Sequence, residues 1–147
     1  MSDLTVKGRV LALDLGEKRI GVAVSDATRT IAKSLTILMR KSRREDYERI
    51  AQFVAEQQAN LLVVGLPVPL NGVEGEKAAW VRDYTAELQE HISIPIAFWD
   101  EAMTTVQAYD SMRQRGKRAK QAKTRIDAVA AAFILQSYLD AQEDGDR

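Results

Sequence analysis

The chain has no cysteine, which removes disulfide cross-links, thiolate nucleophiles and sulfur-ligated metal sites from consideration. Histidine occurs once, as His91, so a cluster of imidazole metal ligands is excluded as well. No apolar run is long enough to span a bilayer, and the segment from Met1 to Lys7 lacks the apolar core of a signal peptide. The expectation is a cytoplasmic protein with no membrane partner. Proline and glycine are sparse, at 3 and 8 of 147 residues, and form no linker-like stretch. Residues 1–147 therefore read as a single domain with a short acidic tail over 140–147.

An excess of charge of either sign is also missing: 21 basic side chains balance 21 acidic ones. Their distribution is uneven. Seven basic residues, Arg113, Arg115, Lys117, Arg118, Lys120, Lys123 and Arg125, follow one another with no acid between them. A smaller basic cluster runs from Arg40 to Arg44, while the last eight residues hold four acids. A run of one sign repels itself, so the long basic run is a candidate nucleic-acid surface; the competing reading is a solvated face.

The apolar pattern opens with two runs, Val10 to Leu15 and Ile20 to Ser25, joined by Gly16-Glu-Lys-Arg19, which suits the turn of an antiparallel hairpin. Ile31 to Met39 is a third apolar stretch. Ser42-Arg-Arg-Glu45 has capping-box spacing and opens a helix with Tyr47, Ile50, Ala51 and Val54 on one face. Leu61 to Gly65 reads as a buried parallel strand, and Gly65 to Gly75 as a loop. Trp80, Val81, Tyr84 and Leu88 mark a second helix, and Ile94 to Trp99 a fifth strand, near an edge because of Pro95. A short helix is expected from Thr104 to about Gln114 and a basic loop from Gly116. The last helix is expected from about Thr124 to Asp140, with Ile126, Val129, Ala130, Phe133, Ile134 and Tyr138 on its apolar face. Right-handed crossovers then allow the fourth strand to lie beside the first. The fold class is α/β: a five-stranded mixed sheet flanked by helices, the ribonuclease H-like arrangement.

Three acids stand out. Asp14 lies between leucines at the end of the first apolar run; if buried, it must be protonated, hydrogen-bonded or metal-bound. Its competing reading is an aspartate that introduces the Gly16 turn. Glu101 follows the fifth strand at its carboxyl end, where open α/β sheets place their sites, or is a solvated loop acid beside Asp100. Asp127 sits in the first turn of the last helix, where it also suits the helix dipole; Ala128, Ala130, Ala131 and Ala132 would let that helix approach the sheet. Three carboxylates without sulfur or imidazole suit Mg²⁺ or Mn²⁺. Two such ions can serve phosphodiester cleavage. A glycosidase acid pair would leave the basic run idle.

Several stretches resemble the YqgF/RuvX family, from about Arg9 to Leu139. They are Leu11-Ala-Leu-Asp-Leu-Gly16 through Asp26, Val64-Gly-Leu-Pro67 with Asn71-Gly72, Asp100-Glu101 with Thr104-Thr105, and Ile126-Asp127 with Ala130-Ala131 and Ile134-Leu135. The resemblance implies a ribonuclease H-like fold related to RuvC-type Holliday junction resolvases. It also implies a metal-dependent nuclease acting at the 5′ end of pre-16S ribosomal RNA, with Asp14, Glu101 and Asp127 as catalytic, metal-binding acids. Partners would be structured RNA or branched DNA, and ribosome precursor particles. The family usually carries an arginine directly after the glutamate; this chain has Ala102. Two other readings remain: an actin-like ATPase, which needs a duplicated domain this length cannot hold, and a non-catalytic RNA-binding factor in ribosome assembly or transcription.

If the basic run contacts phosphates, replacing Lys117, Arg118 and Lys120 together with alanine should weaken RNA binding without shifting the melting temperature. The plot of log affinity against log salt should flatten by about 2, at roughly 0.7 per single-strand contact. An unchanged slope in a salt titration would make the run a solvated face.

Overall fold

The computed structural model describes residues 7–69, 71–103 and 126–145. Strand β1 (Arg9–Leu15) is the centre of the molecule. Its consecutive residues are apolar because both faces are covered: Leu11 and Leu13 join the core on one side, Val10 and Ala12 the core on the other, and all four are fully buried. Strand β2 (Arg19–Ser25) pairs with it antiparallel, and β3 (Ala32–Met39) pairs antiparallel with β2. The hairpin turn closes when the Gly16 amide donates to the Arg19 carbonyl at 2.9 Å. A Cβ on Gly16 would stand 2.7 Å from that same oxygen, so the turn requires glycine.

Beyond β1 the sheet turns parallel. Strand β4 (Ala59–Leu66) lies along β1 and β5 (Ile96–Asp100) along β4, giving the order β3-β2-β1-β4-β5. The five-stranded mixed sheet, the placement of the fourth strand beside the first and the edge position of the fifth are as the sequence predicts. Pro95 stands just before β5, and its carbonyl accepts from the Leu62 amide at 3.0 Å, so its missing N–H interrupts no ladder.

Helices α1 (Arg43–Gln57) and α2 (Glu76–Gln89) cover one face of the sheet. Ser42 caps α1 by accepting from the Glu45 amide at 3.1 Å, as the capping-box spacing predicts. Tyr47, Ile50, Val81, Tyr84 and Leu88 pack against Leu11, Leu13, Leu62 and Val64. One buried residue of α1 is charged: Asp46 accepts from the Lys41 amide at 3.0 Å and from the Tyr84 hydroxyl at 3.3 Å.

Helix α3 (Ile126–Gly145) covers the other face and continues past the predicted end at Asp140. Of the predicted stripe, Val129 and Ile134 are buried as expected, the side chain of Ile126 lies outside the described residues, and the rest packs differently. Ala131, Ala132, Leu135 and Leu139 bury against Val10, Ala12, Ala23 and Val63, whereas Ala130, Phe133 and Tyr138 are only half-buried. Gln136, a polar residue of this helix, is turned inward and fully buried. Its Oε1 accepts from the Ala32 amide at 2.9 Å, and its Nε2 donates to the Thr30 carbonyl at 3.0 Å and to Asp140 at 2.9 Å. The bonds to Ala32 and Thr30 tie the helix to the start of β3. Trp99 adds a second tie, donating to Ser137 Oγ at 3.0 Å. The helix expected over 104–114 and the basic loop after it lie outside the described residues. Among the described residues, no helix is long and apolar enough to cross a membrane.

Gln136→Leu should destabilise the protein by about 1–3 kcal/mol, because it strands the buried Ala32 amide and removes the Thr30 contact. Denaturant unfolding measures this, and a shift below about 0.5 kcal/mol would show that water replaces the side chain without penalty.

Candidate active site

Alternation along β1 decides where Asp14 stands. Val10 and Ala12 face α3, so Asp14, two residues further, continues that side. Its neighbours leave it room: Gly21 is its partner in the β1–β2 ladder, and Gly65 follows Val64, the partner of Leu13 on β4. Gly65 is where the backbone and two other elements meet. A Cβ there would lie 2.8 Å from Ile134 Cδ1 of α3 and 3.1 Å from Glu101 Oε1. The absence of a side chain at Gly65 lets Glu101 settle over β4, beside Asp14.

Glu101 reaches this position because β5 ends at Asp100 and the chain turns at once into a short 3₁₀ helix, Glu101–Met103. The Ala102 amide donates to Asp100 Oδ1 at 2.8 Å, fixing the turn. Both acids therefore stand at the carboxyl edge of the parallel strands. The β1–β4 border is also where the chain reverses its direction of travel across the sheet, the usual ligand position in open α/β sheets.

Burial pushes the Glu101 carboxyl up to about 7, reinforced by the nearby charge of Asp14, by the hydrogen bond that neutral Glu101 makes to Asp14 and by Asp100, with Lys77 acting in the opposite sense. Burial and the Asp14 charge thus favour the protonated form of Glu101, which donates a hydrogen bond to Asp14. Two hard oxygen donors forced together match the chemistry of a divalent cation, which would take the place of that proton. Among the described residues, no group of three His, Cys, Asp or Glu side chains is assembled that could hold a metal ion. Asp127 opens α3, but its side chain lies outside the described residues, as does the whole basic run from Arg113 to Arg125.

Asp14 and Glu101 border a cavity of about 470 Å³, whose other walls include Gly16, Arg40, Pro67, Lys77 and Trp80. The basic cluster at 40–44 does not form one patch around it. Arg43 turns to Asp83 and Glu87 of α2 at 3.0 and 2.7 Å, Arg44 pairs with Glu48 at 3.3 Å, and only Arg40 enters the cavity. No local pattern sets Arg40 apart from its cluster or marks Lys77, and Trp80 is expected only as one of the residues that mark the second helix; they come together when Arg40 of the β3 end stacks on Trp80 of α2. Asp26, at the end of the hairpin motif, has a structural place. Its Oδ1 accepts from the Thr30 and Ile31 amides at 2.8 and 3.0 Å, and these bonds, with one from Thr28, outweigh the effect of burial and hold its carboxyl below the usual range.

The family model described as RuvX, Holliday junction resolvase, matches residues 8–141. The chain belongs to this family. Among its relatives, a protein of Thermoanaerobacter pseudethanolicus is 44% identical over 138 residues, covering 92% of this chain and 99% of the relative. A protein of Roseiflexus sp. is 46% identical over 135 residues, covering 92% and 96%. Both carry the name "Putative pre-16S rRNA nuclease". Solved structures with this fold include Thermus thermophilus RuvC in complex with a Holliday junction substrate, at TM-score 0.59 and 13% identity over 92% of this chain and 96% of that one. The yeast mitochondrial Holliday junction resolvase Ydc2 matches at TM-score 0.58 and 9% identity, over 97% and 82%. At such identities the likeness is one of fold, and that fold is ribonuclease H-like.

Because the folded Glu101 carboxyl sits near 7 against an ordinary value of 4.5, its contribution to stability is complete below about 4.5 and is lost as the pH rises through about 7. The melting temperature of protein in EDTA should carry this fall, and E101Q should flatten it. Parallel pH profiles for the two proteins would contradict the proton-sharing geometry.

Proposed function

We propose that this chain is a nuclease that hydrolyses phosphodiester bonds of precursor 16S ribosomal RNA at its 5′ end, using divalent Mg²⁺ or Mn²⁺. The observation that carries the reading is the pair of carboxyls, Asp14 and Glu101, held together at the carboxyl edge of the sheet beside a cavity. Asp127 is the third acid of the proposed set. It precedes Ala131 and Leu135 by one and two helical turns, and both of those residues bury against the sheet. The family and the relatives' names support the same activity.

Two divalent ions on such acids would activate water and stabilise the leaving oxygen. The chain's own contribution is positional. β1 and β5 set the two carboxyls at a fixed separation, Gly65 and Gly21 keep side chains out of their space, and the walls of the cavity limit the approach of the backbone being cut. The basic run from Arg113 to Arg125 would hold the flanking polyanion. A precursor ribosomal RNA substrate also places the protein in the cytoplasm, with ribosome precursor particles as its partner.

The purified protein should cleave labelled RNA spanning the 5′ end of 16S precursor only with Mg²⁺ or Mn²⁺, and EDTA should abolish the reaction. D14N should keep the fold and lose about a thousandfold in rate, since the metal ions supply several kcal/mol of charge stabilisation. D14N cleaving at the wild-type rate would overturn the assignment. Faster cleavage of a four-way DNA junction than of RNA would favour a resolvase, and RNA binding without cleavage would favour an assembly factor.

A further inference from the structure

Arg40 leaves the end of β3 and is held before any ligand arrives. Its amide donates to the Lys18 carbonyl at 2.8 Å, and its Nη1 donates to the carbonyls of Glu17 and Gly16 at 2.8 and 3.3 Å. The guanidinium lies over the Trp80 ring at 4.6 Å from its centroid and 5.6 Å from that of Tyr84. Only 19% of the side chain is exposed. Its compensating charge is incomplete. Asp46 Oδ2 is 3.8 Å from Nε, too far for a hydrogen bond, and the buried Nε has no hydrogen-bond partner.

Fixing a long cation on an aromatic face, bonded to the turn that begins at Gly16 just after Asp14, has a plain structural use as a clamp between the hairpin and α2. A clamp alone does not explain why the side chain lines the cavity that holds the acid pair. Lys77 lines the same cavity from the first turn of α2, with its ammonium exposed and near enough to Glu101 to favour the ionised carboxylate. The capping position before it is Gly75, with no side-chain oxygen on the first-turn amides, and Glu76 stands in the same turn and lines the cavity as well. Six charged side chains thus line the cavity, the acids Asp14, Glu17, Glu76 and Glu101 and the cations Arg40 and Lys77.

We propose that Arg40 and Lys77 form a phosphate subsite for the RNA strand, holding a backbone phosphate adjacent to the one that meets Asp14 and Glu101. This inference rests on the nuclease reading above and names residues that take part in substrate binding. Arg40 supplies a permanent, pre-ordered positive charge, with Nε buried and Nη1 bonded to the turn, and Lys77 a mobile point charge. A phosphate seated there fixes the register of the strand across the acid pair.

The test is binding of a short single-stranded RNA in EDTA, followed by fluorescence anisotropy across a range of salt. R40Q should weaken binding about tenfold, the worth of one charge-assisted hydrogen bond, and flatten the log–log salt slope by about 0.7. R40K should restore the slope while leaving affinity below wild type, because an ammonium keeps the charge but not the planar stacking on Trp80 that holds it in place. K77Q, on an exposed helical position that leaves the fold intact, should flatten the slope by a similar amount. R44A, which removes a nearby cation turned away from the cavity, should bind as wild type does.

Wild-type affinity and slope in K77Q and in folded R40Q would overturn the subsite, as would an equal loss in R44A. The readout needs no cleavage. A wild-type cleavage rate in D14N would overturn the nuclease assignment, whereas unchanged binding in the cavity variants would overturn only this subsite.

Discussion

The arrangement depends on β1 being buried on both faces as far as Leu13 and then presenting a carboxylate. A strand with Leu11 and Leu13 in one core and Val10 and Ala12 in the other cannot shift by one residue without driving Asp14 to the opposite face, so its register is tightly specified. Each fully buried leucine or valine contributes about 1.5–3 kcal/mol to that specification. The central strand thereby acts as the rule against which the acid is placed.

Holding Glu101 beside Asp14 works against folding in the absence of a cation. Burial and the neighbouring charge both disfavour ionised Glu101; Lys77 offsets part of this, and a shared proton or a bound metal would relieve the rest. Other ties hold the frame around the acids: Gln136 bonded to the start of β3, Trp99 to Ser137, and Arg40 to the hairpin turn. Strain placed at the sheet edge and stabilisation placed in two separate cores is the usual division in a site built for a charged ligand.

The two faces of the sheet contribute differently to the cavity. On the α3 side, small residues Ala131 and Ala132 and the bare Gly65 bring helix, sheet and Glu101 close together. On the α1 and α2 side, Trp80 and Tyr84 support a guanidinium, and Asp46, buried under them, partly balances its charge. The acid pair and the cations thus arrive from opposite layers and meet only where the parallel strands end.

Apolar runs, the Gly16 turn and the Ser42 cap were sufficient to place β1, β2, β3, β4, β5 and α1, because each is specified by neighbours in sequence: alternation or continuity of apolar residues, one glycine conformation and one local hydrogen bond. Asp14 and Glu101 were legible for the same reason, as carboxylates at the ends of apolar strands. The inward face of α3 was not, since a glutamine inside an apolar stripe looks like a solvent residue until β3 supplies the Thr30 carbonyl and Ala32 amide that it bonds. Nor was the separation of Arg40 from Arg43 and Arg44, adjacent charges that turn to different partners once α2 packs beside α1. The sequence by itself determined the elements and the acids at their ends. Only the tertiary structure decided which side chains face one another across the cavity, because hydrogen-bond partners and ring faces from distant segments exist as an environment only after the sheet has closed between its helices.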